Sequence, residues 1–350
     1  MNPFLHIVYP FIIIFVSFLS GLVLMPFVIR FARAKNLVVR PNKRTSHIGE
    51  VPNVGGLNIF IVLMTFFVIS LIFKQINLFF VIGFCIIFII GFIDDRLELS
   101  AIWKLFGETF GAFFLIKFAD IRILSLGGMF GIYELPLWGS YLISFAVFIL
   151  IVNALNLIDG VDGLASGLGI VYSAFFGVWF YSWGNVYISL ICFVAIGALL
   201  VFFLYNVFGG SRRKIFMGDS GSLPLGYLIT FFVFSVHLNN IEFTYPLATS
   251  FIVLFMPLFD MLRVAFTRLV NHNNIFHPDK NHIHHLLLKL GLSHKKVSMI
   301  LIFVSLIFVL IALLMMHKHY LTQILFTILT GITLSYLLWL LVEKKHFNSK

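Results

Sequence analysis

Four clusters of acids, amides, imidazoles and amines interrupt an otherwise apolar chain. The first is Gly91-Phe-Ile-Asp94-Asp95-Arg96. Two adjacent carboxylates repel, so keeping both charged calls for a metal ion or another cation beside them. Taken alone, the pair also reads as a solvated turn with Arg96 as its partner. Lys104 follows, where an ammonium could reach a phosphate. The second cluster is Asn153-Ala-Leu-Asn156-Leu-Ile-Asp159-Gly-Val-Asp162-Gly163-Leu164. Asn153, Asn156 and Asp159 are spaced by three, so on a helix they share one face. Neutral carbonyls beside carboxylates suit a hard cation such as Mg²⁺, which takes few protein oxygens and keeps water or phosphate for the rest of its shell. A helix cap followed by a turn is the plainer reading.

The third cluster, Phe216-Met217-Gly218-Asp219-Ser220-Gly221-Ser222, precedes an apolar run. Gly, Ser and free backbone N–H groups at a helix start make an anion site, and Asp219 there could hold a metal against that anion. An Asp or Ser N-cap accounts for part of the pattern. Phe216 reads as packing first and as a stacking surface for a base second. The fourth cluster is His277-Pro-Asp-Lys-Asn-His282-Ile-His284-His285. It has no Cys and no closed zinc spacing, so imidazoles and amines set opposite acids fit a diphosphate clamp better. Arg40-Pro-Asn-Lys43-Arg44-Thr-Ser-His47, with Pro52 to Gly56 after it, is less specific; anionic lipid headgroups explain it nearly as well as a substrate does.

The elements that must position these clusters are membrane spans. Of 350 residues, 61% are hydrophobic and 11% charged, and the mean hydropathy is +1.05. A soluble domain carries about a quarter charged residues. Apolar segments near the length needed to cross a bilayer, about 20 residues, predict an all-α polytopic bundle of ten or eleven transmembrane helices. They lie near 5–29, 55–73, 78–93, 102–119, 137–157, 164–182, 186–205, 223–237, 245–264, 298–316 and 321–342, with a His-rich cytoplasmic loop over 265–297. The whole chain reads as one membrane-embedded domain. The first span lacks a basic leader and a cleavage site, so it reads as retained. Cys85 and Cys192 lie in apolar spans and read as unpaired. Ile121–Pro136, with Gly127-Gly128 at its centre, reads as a small hairpin on the outer side.

With the N-terminus outside, 20 of the 24 Lys and Arg fall in inner connections or the C-terminal tail and four outside. That asymmetry places the C-terminus in the cytoplasm. The net charge of +10 is therefore topology and attraction to anionic lipid, and no nucleic-acid partner is expected. Seven of eight Asp fall on the same inner side, all but Asp120. Carboxylates at membrane depth are costly and mark function. Together the clusters ask for a metal-bound diphosphate at a membrane surface, with a lipid as acceptor. A transporter using intramembrane acids is the competing reading, but its sites lie near the midplane between repeats. No repeat is visible.

The four motifs, in this order, resemble the polyprenyl-phosphate N-acetylhexosamine-1-phosphate transferases (WecA/TagO/MraY-like), and His282-x-His284-His285 is similar to the WecA/TagO branch. The resemblance runs from Arg40 to about Lys296. It implies transfer of N-acetylhexosamine-1-phosphate, GlcNAc-1-phosphate by default, from a UDP-sugar to undecaprenyl or another polyprenyl phosphate. UMP is released, at the start of a cell-envelope glycan pathway in the inner (plasma) membrane. By the same resemblance, Asn156 and Asp219 match the Mg²⁺ ligands, with Mn²⁺ able to substitute. Lys104 and His282, His284 and His285 match the diphosphate site, Asp162 and Phe216 the uracil contacts, and Asp94 and Asp95 the catalytic pair. Asn153 and Asp159 join the substrate-binding set. A homodimer is among the partners considered. Val39, where the family often has Asp, and Asn53, where it often has a basic residue, depart from the pattern.

Overall fold

The computed structural model describes residues 3–39, 50–238, 245–272 and 281–348. Arg40 to His47, and His277, Asp279 and Lys280, lie outside the described residues. The chain is helical almost throughout. In order it forms α1 (Pro3–Ala34), the two-residue strands β1 (Val38–Val39) and β2 (Val51–Pro52), α2 (Gly55–Ile72), α3 (Leu78–Leu97) and α4 (Ala101–Phe113). Then come α5 (Leu137–Leu157), α6 (Leu164–Ser182), α7 (Val186–Phe208), the single turn α8 (Gly210–Arg213) and α9 (Asp219–Leu238). The chain continues through α10 (Pro246–Val253), α11 (Phe255–Val270), α12 (Ile283–Lys289), α13 (His294–Met315) and α14 (Tyr320–Asn348). Among the described residues nine helices are long and apolar enough to span a membrane, and α10 with α11 make a tenth if counted as one bent span. This is a multi-pass membrane protein.

Helix α9 is the axis of the bundle. It packs against α2, α3, α5, α6 and α10, and its apolar side chains are buried all round, as in a helix with no lipid-facing side. Tyr227 on α9 donates to the Phe80 carbonyl of α3 at 2.8 Å, which settles its one polar atom at that depth. The periphery is the reverse. Leu325, Leu329, Ile332 and Trp339 of α14 are exposed, a surface that only lipid solvates at low cost. Both cysteines are free.

Three expectations need correction. The span expected over 245–264 is broken: α10 and α11 meet at Leu254 with an 85° bend. Pro257 has no N–H to return to the Val253 carbonyl, so the helix ladder fails there. The hairpin expected over Ile121–Pro136 has no strand ladder; the chain reverses through Gly127 and Gly128, both at positive φ, into a single 3-10 turn, Met129–Gly131. Leu135 N still bonds the Leu124 carbonyl at 3.0 Å, so the ends meet without a strand ladder between them. Finally, the stretch expected as a loop over 265–297 is partly helical, because Ile283 and Leu287 of α12 bury against the bundle.

Small residues let the elements close on the start of α9. A Cβ on Gly91 would sit 2.3 Å from the Asp219 carbonyl oxygen, and one on Gly56 2.3 Å from Gly221 N. Both contacts are with backbone, which cannot swing aside as a side chain can. Gly91→Ala is therefore expected to destabilise the protein by about 1–3 kcal/mol, the usual cost of overpacking. It should lower the apparent melting temperature of the purified protein in detergent; an unchanged melt would show that α3 and α9 have slack at this crossing.

Candidate active site

The site lies at one end of the bundle, where α3 and α5 finish and α4, α6 and α9 begin. Helix starts leave backbone N–H groups without intrahelical acceptors. Those of α9 are taken by Asp95, from α3: its Oδ1 accepts from Asp219 N at 2.8 Å and its Oδ2 from Ser220 N at 3.0 Å. A negative charge there also complements the helix dipole. Asn53 donates to the same carboxylate at 3.1 Å, and its backbone bridges to Phe216. The β1–β2 ribbon thus carries the chain after α1 onto the segment that leads into α9.

Asp94 faces elsewhere. Its Oδ1 accepts from Leu99 N at 2.7 Å, which closes the turn after α3, and its Oδ2 lies 3.1 Å from the Lys104 ammonium. That ammonium also pairs with Asp219 Oδ2 and donates to Asn156 Oδ1 at 3.1 Å. Asn156 in turn donates to Asp219 Oδ1 at 2.8 Å and to Ser222 Oγ at 2.9 Å. Three oxygens from α3, α5 and α9 therefore converge on one positive charge supplied by α4. Among the described residues no three His, Cys, Asp or Glu side chains gather as a ready metal cage. The donors at this point are two carboxylates and one amide, all hard oxygens, arranged around a cation.

A cleft of about 690 Å³ opens beside this cluster, lined by Asn156, Asp159, Asp162, Lys214, Phe216 and Asp219 among others. At its far side Lys214 pairs with Asp162 at 2.7 Å and stands 5.6 Å from the Phe216 ring centroid, which joins an acceptor, a cation and an aromatic face. Gly163, at positive φ, turns the chain into α6, and its N–H bonds Asn206 Oδ1 at 2.6 Å. Asn206 also holds the Ile215 carbonyl at 2.7 Å, tying the two walls together. Asp159 is held well above the ordinary carboxylate range, first by burial and then by the charges of Asp219, Asp95 and Asp162. Asn153 lies one turn before Asn156 and donates to Glu108 at 2.6 Å.

The imidazoles form a second wall. His282 Nδ1 lies 2.9 Å from Asp260 Oδ2, and Asp260 Oδ1 accepts from Arg263 and from Ile283 N, each at 2.9 Å. One buried carboxylate thereby docks the start of α12 onto α11. His285 reaches the cleft. His284 is buried against Gly160, and burial pushes its pKa down to about 3, with the neighbouring His285 adding to the shift.

Comparison with known proteins places this arrangement. The family described as Glycosyl transferase family 4 matches residues 77–237. The chain is 33% identical over 303 residues to a Bacillus subtilis (strain 168) protein named probable undecaprenyl-phosphate N-acetylglucosaminyl 1-phosphate transferase, covering 84% of this chain and 81% of the relative. The chain belongs to glycosyl transferase family 4. Two further members are undecaprenyl-phosphate alpha-N-acetylglucosaminyl 1-phosphate transferases: that of Yersinia pestis is 31% identical over 264 residues, 74% of this chain and 72% of the relative. That of Escherichia coli O157:H7 is 29% identical over 312 residues, 87% and 84%. Membership makes the chain a transferase of phosphosugars, and the transporter reading falls with it.

Of the residues singled out from sequence, Arg40 to His47, His277, Asp279 and Lys280 lie outside the described residues, and the others stand in unequal positions around the cleft. Asn156, Asp159, Asp162, Phe216, Asp219 and His285 line the cleft together with Asp95. Lys104 and Asp94 stand behind Asp219, and Asn153 lies deeper in the bundle, while His282 and His284 brace α12. Sequence reasoning missed Lys214, Asn206, Glu108 and the role of Asn53. Glu108 carried a usable signal, being a carboxylate inside a span one turn after Lys104; Lys214 and Asn206 carried none.

Two outcomes follow from this geometry. Asp95→Ala should remove the acceptor for the first N–H groups of α9 and cost about 1–2 kcal/mol, as lost caps do. Asp94→Ala should cost less, and equal melting temperatures for the two would refute the division between them. His284 is neutral when folded and protonates near 6.5 when unfolded, so its contribution is complete above pH 6.5 and declines as pH falls towards 3. Replacing it with Gln should flatten the loss of thermal stability between pH 6.5 and 5; an unchanged slope would count against that assignment.

Proposed function

We propose that the chain transfers N-acetylhexosamine-1-phosphate, GlcNAc-1-phosphate foremost, from its UDP-sugar to undecaprenyl or another polyprenyl phosphate. A lipid-phosphate oxygen attacks the β-phosphorus of the donor. The bond from that phosphorus to the oxygen bridging to the α-phosphate breaks, and UMP leaves with that oxygen. A phosphate monoester is already largely ionised near pH 7, so the step needs little help from a base. Charge neutralisation and in-line positioning are the main demands of such a reaction.

The observation that carries this reading is a cleft with a base-sized aromatic and ion-pair pocket at one end and a cation-centred oxygen cluster at the other. Asp162, Lys214 and Phe216 offer the first: an acceptor, a donor and a ring face for uracil. Asn156 Oδ1 and Asp219 offer the second, and the Lys104 ammonium between them stands in for a bound cation. Both oxygens are hard donors and fit Mg²⁺, or Mn²⁺ in its place. When bound, the ion supplies Lewis-acid stabilisation of charge developing on the leaving phosphate. Lys104 and His285 contribute positive or donor groups to the diphosphate, and His282 and His284 hold the helix that presents His285. Asp94 positions Lys104; Asp95 positions Asp219.

The acceptor's prenyl chain has a place to lie. An apolar groove of about 660 Å³ runs between α5, α11 and α14, lined by Phe255, Phe259, Leu262 and Ile328, with Arg263 on its wall. The 20-to-4 distribution of Lys and Arg supports a cytoplasmic site and C-terminus and an outer N-terminus, in the inner (plasma) membrane.

The test is UMP release by purified protein given undecaprenyl phosphate, Mg²⁺ and a panel of UDP-sugars. UMP is expected with UDP-N-acetylglucosamine, only when both lipid and metal are present. Asp219→Ala should lower the rate at least a hundredfold, the size of losing a preorganised electrostatic group, while the protein still folds. Folded wild-type protein that releases no UMP with any sugar would overturn the reading.

A further inference from the structure

The end of the bundle opposite the cleft carries a charged group that no step of the proposed reaction uses. Helix α4 starts at the cleft with Lys104 and passes at its far end into a π turn, Phe114–Phe118. Helix α5 begins at that far end and finishes at the cleft with Asn156. Tyr141 of α5 is ~22 Å along the helix from Asn156. The Lys117 ammonium donates to Tyr141 Oη at 3.2 Å and stands 5.1 Å from the ring centroid. The Arg122 guanidinium lies 5.1 Å from the same centroid. Two of the four Lys and Arg assigned to this side of the membrane thus share one aromatic ring. The ring attracts each cation but does not relieve their mutual repulsion.

Only Arg122 is compensated. Its Nε donates to Asp120 Oδ1 at 2.8 Å and its Nη1 to Ser140 Oγ at 2.6 Å. Among the described residues Lys117 has no carboxylate partner, so the group keeps one positive charge in excess. The backbone beneath it is also irregular. Ala119 N reaches back to the Phe114 carbonyl at 2.9 Å, and such π turns, which hold one residue more than an α turn, are frequent at functional positions. The surroundings give the depth. Phe118 next to Lys117, and Trp138 and Leu142 beside Tyr141, are exposed. Aromatic rings of this kind sit where lipid headgroups meet acyl chains, and a lysine there holds its charge at headgroup level. An anion suited to this place has one negative charge at its head and an apolar body below it. A phospholipid phosphodiester has both; a hydrated free phosphate lacks the second.

We propose that Lys117, Arg122 and Tyr141 seat the phosphodiester of an anionic phospholipid in the leaflet opposite the cleft. The lipid's charge completes the neutralisation that Asp120 supplies for Arg122 alone, and its body lies against Trp138 and Leu142. A lipid held there ties together the far ends of α4 and α5, the helices that present Lys104 and Asn156 at the cleft. The proposal depends neither on the donor sugar nor on a metal.

Amine acetylation of the full chain in nanodiscs, read at each lysine by peptide mass spectrometry, tests it without turnover. Lys74 and Lys318 are exposed at the same end of the bundle and report the general surface potential. Changing the discs from phosphatidylcholine to phosphatidylcholine mixed with phosphatidylglycerol should slow acetylation of Lys117 about fivefold more than that of Lys74 or Lys318. That is the scale of one basic residue meeting an anionic lipid surface. Equal slowing of all three lysines in the wild-type protein overturns the proposal. Protection of Lys117 by millimolar inorganic phosphate in phosphatidylcholine discs, at constant ionic strength, overturns it as well, because the group then takes a free anion. Arg122→Gln keeps a donor for Ser140 but cancels the excess charge. It should bring Lys117 to the rate of the two reference lysines in the mixed discs, and undiminished protection in that variant refutes the shared seat.

Discussion

A carboxylate from one helix seated on the first backbone N–H groups of another is the contact on which the rest of the site depends. Asp95 of α3 accepts from Asp219 N and Ser220 N of α9, across 124 residues of sequence. Inside a membrane-embedded bundle these N–H groups have few other acceptors, so leaving them open would be expensive. The clasp also sets where the Asp219 side chain begins. Gly91 and Gly56 permit the approach, because backbone lies where their side chains would be. Removing bulk at two positions and adding one charge at a third locates the Asp219 carboxylate in the cleft.

Around that point the electrostatics are arranged to tolerate one positive charge and little else. Asp94 and Asp219 would repel each other without Lys104 between them, and Asn156 adds an oxygen rather than a third charge. Farther into the cleft Asp159 is held well above the ordinary carboxylate range by burial and by its acidic neighbours. Asp162 is paired with Lys214 at 2.7 Å. The acids are thus alike in type but differ in their partners: Asp94 and Asp219 share Lys104, and Asp162 has Lys214.

The bent span is the other organising feature. Pro257 breaks the ladder between α10 and α11, and the 85° turn directs α11 away from the bundle axis. Asp260 on that helix then gathers Arg263, His282 and the Ile283 N–H. The imidazole-bearing helix α12 is thereby fastened over the cleft, with His285 at its edge. The same bend opens the apolar groove beside α14, so one missing N–H shapes both the polar roof and the lipid-facing flank.

By itself the sequence determined that this is a helical membrane protein and which polar clusters interrupt its apolar spans. These follow from local sums: hydropathy over about 20 residues marks a span, and charge beside each span marks a side. The motifs around Asn156 and Asp219 were legible because their spacing is itself local. Tertiary structure alone decided that adjacent Asp94 and Asp95 point to different partners, that Lys214 closes on Asp162, and that Glu108 meets Asn153. It also decided that Asn53, seemingly a mere departure from pattern, braces Asp95. Each of these is a contact between elements far apart in sequence, fixed by how helices pack rather than by what any one helix prefers. Periodicity cannot report such a contact, because either partner would look the same with the other absent.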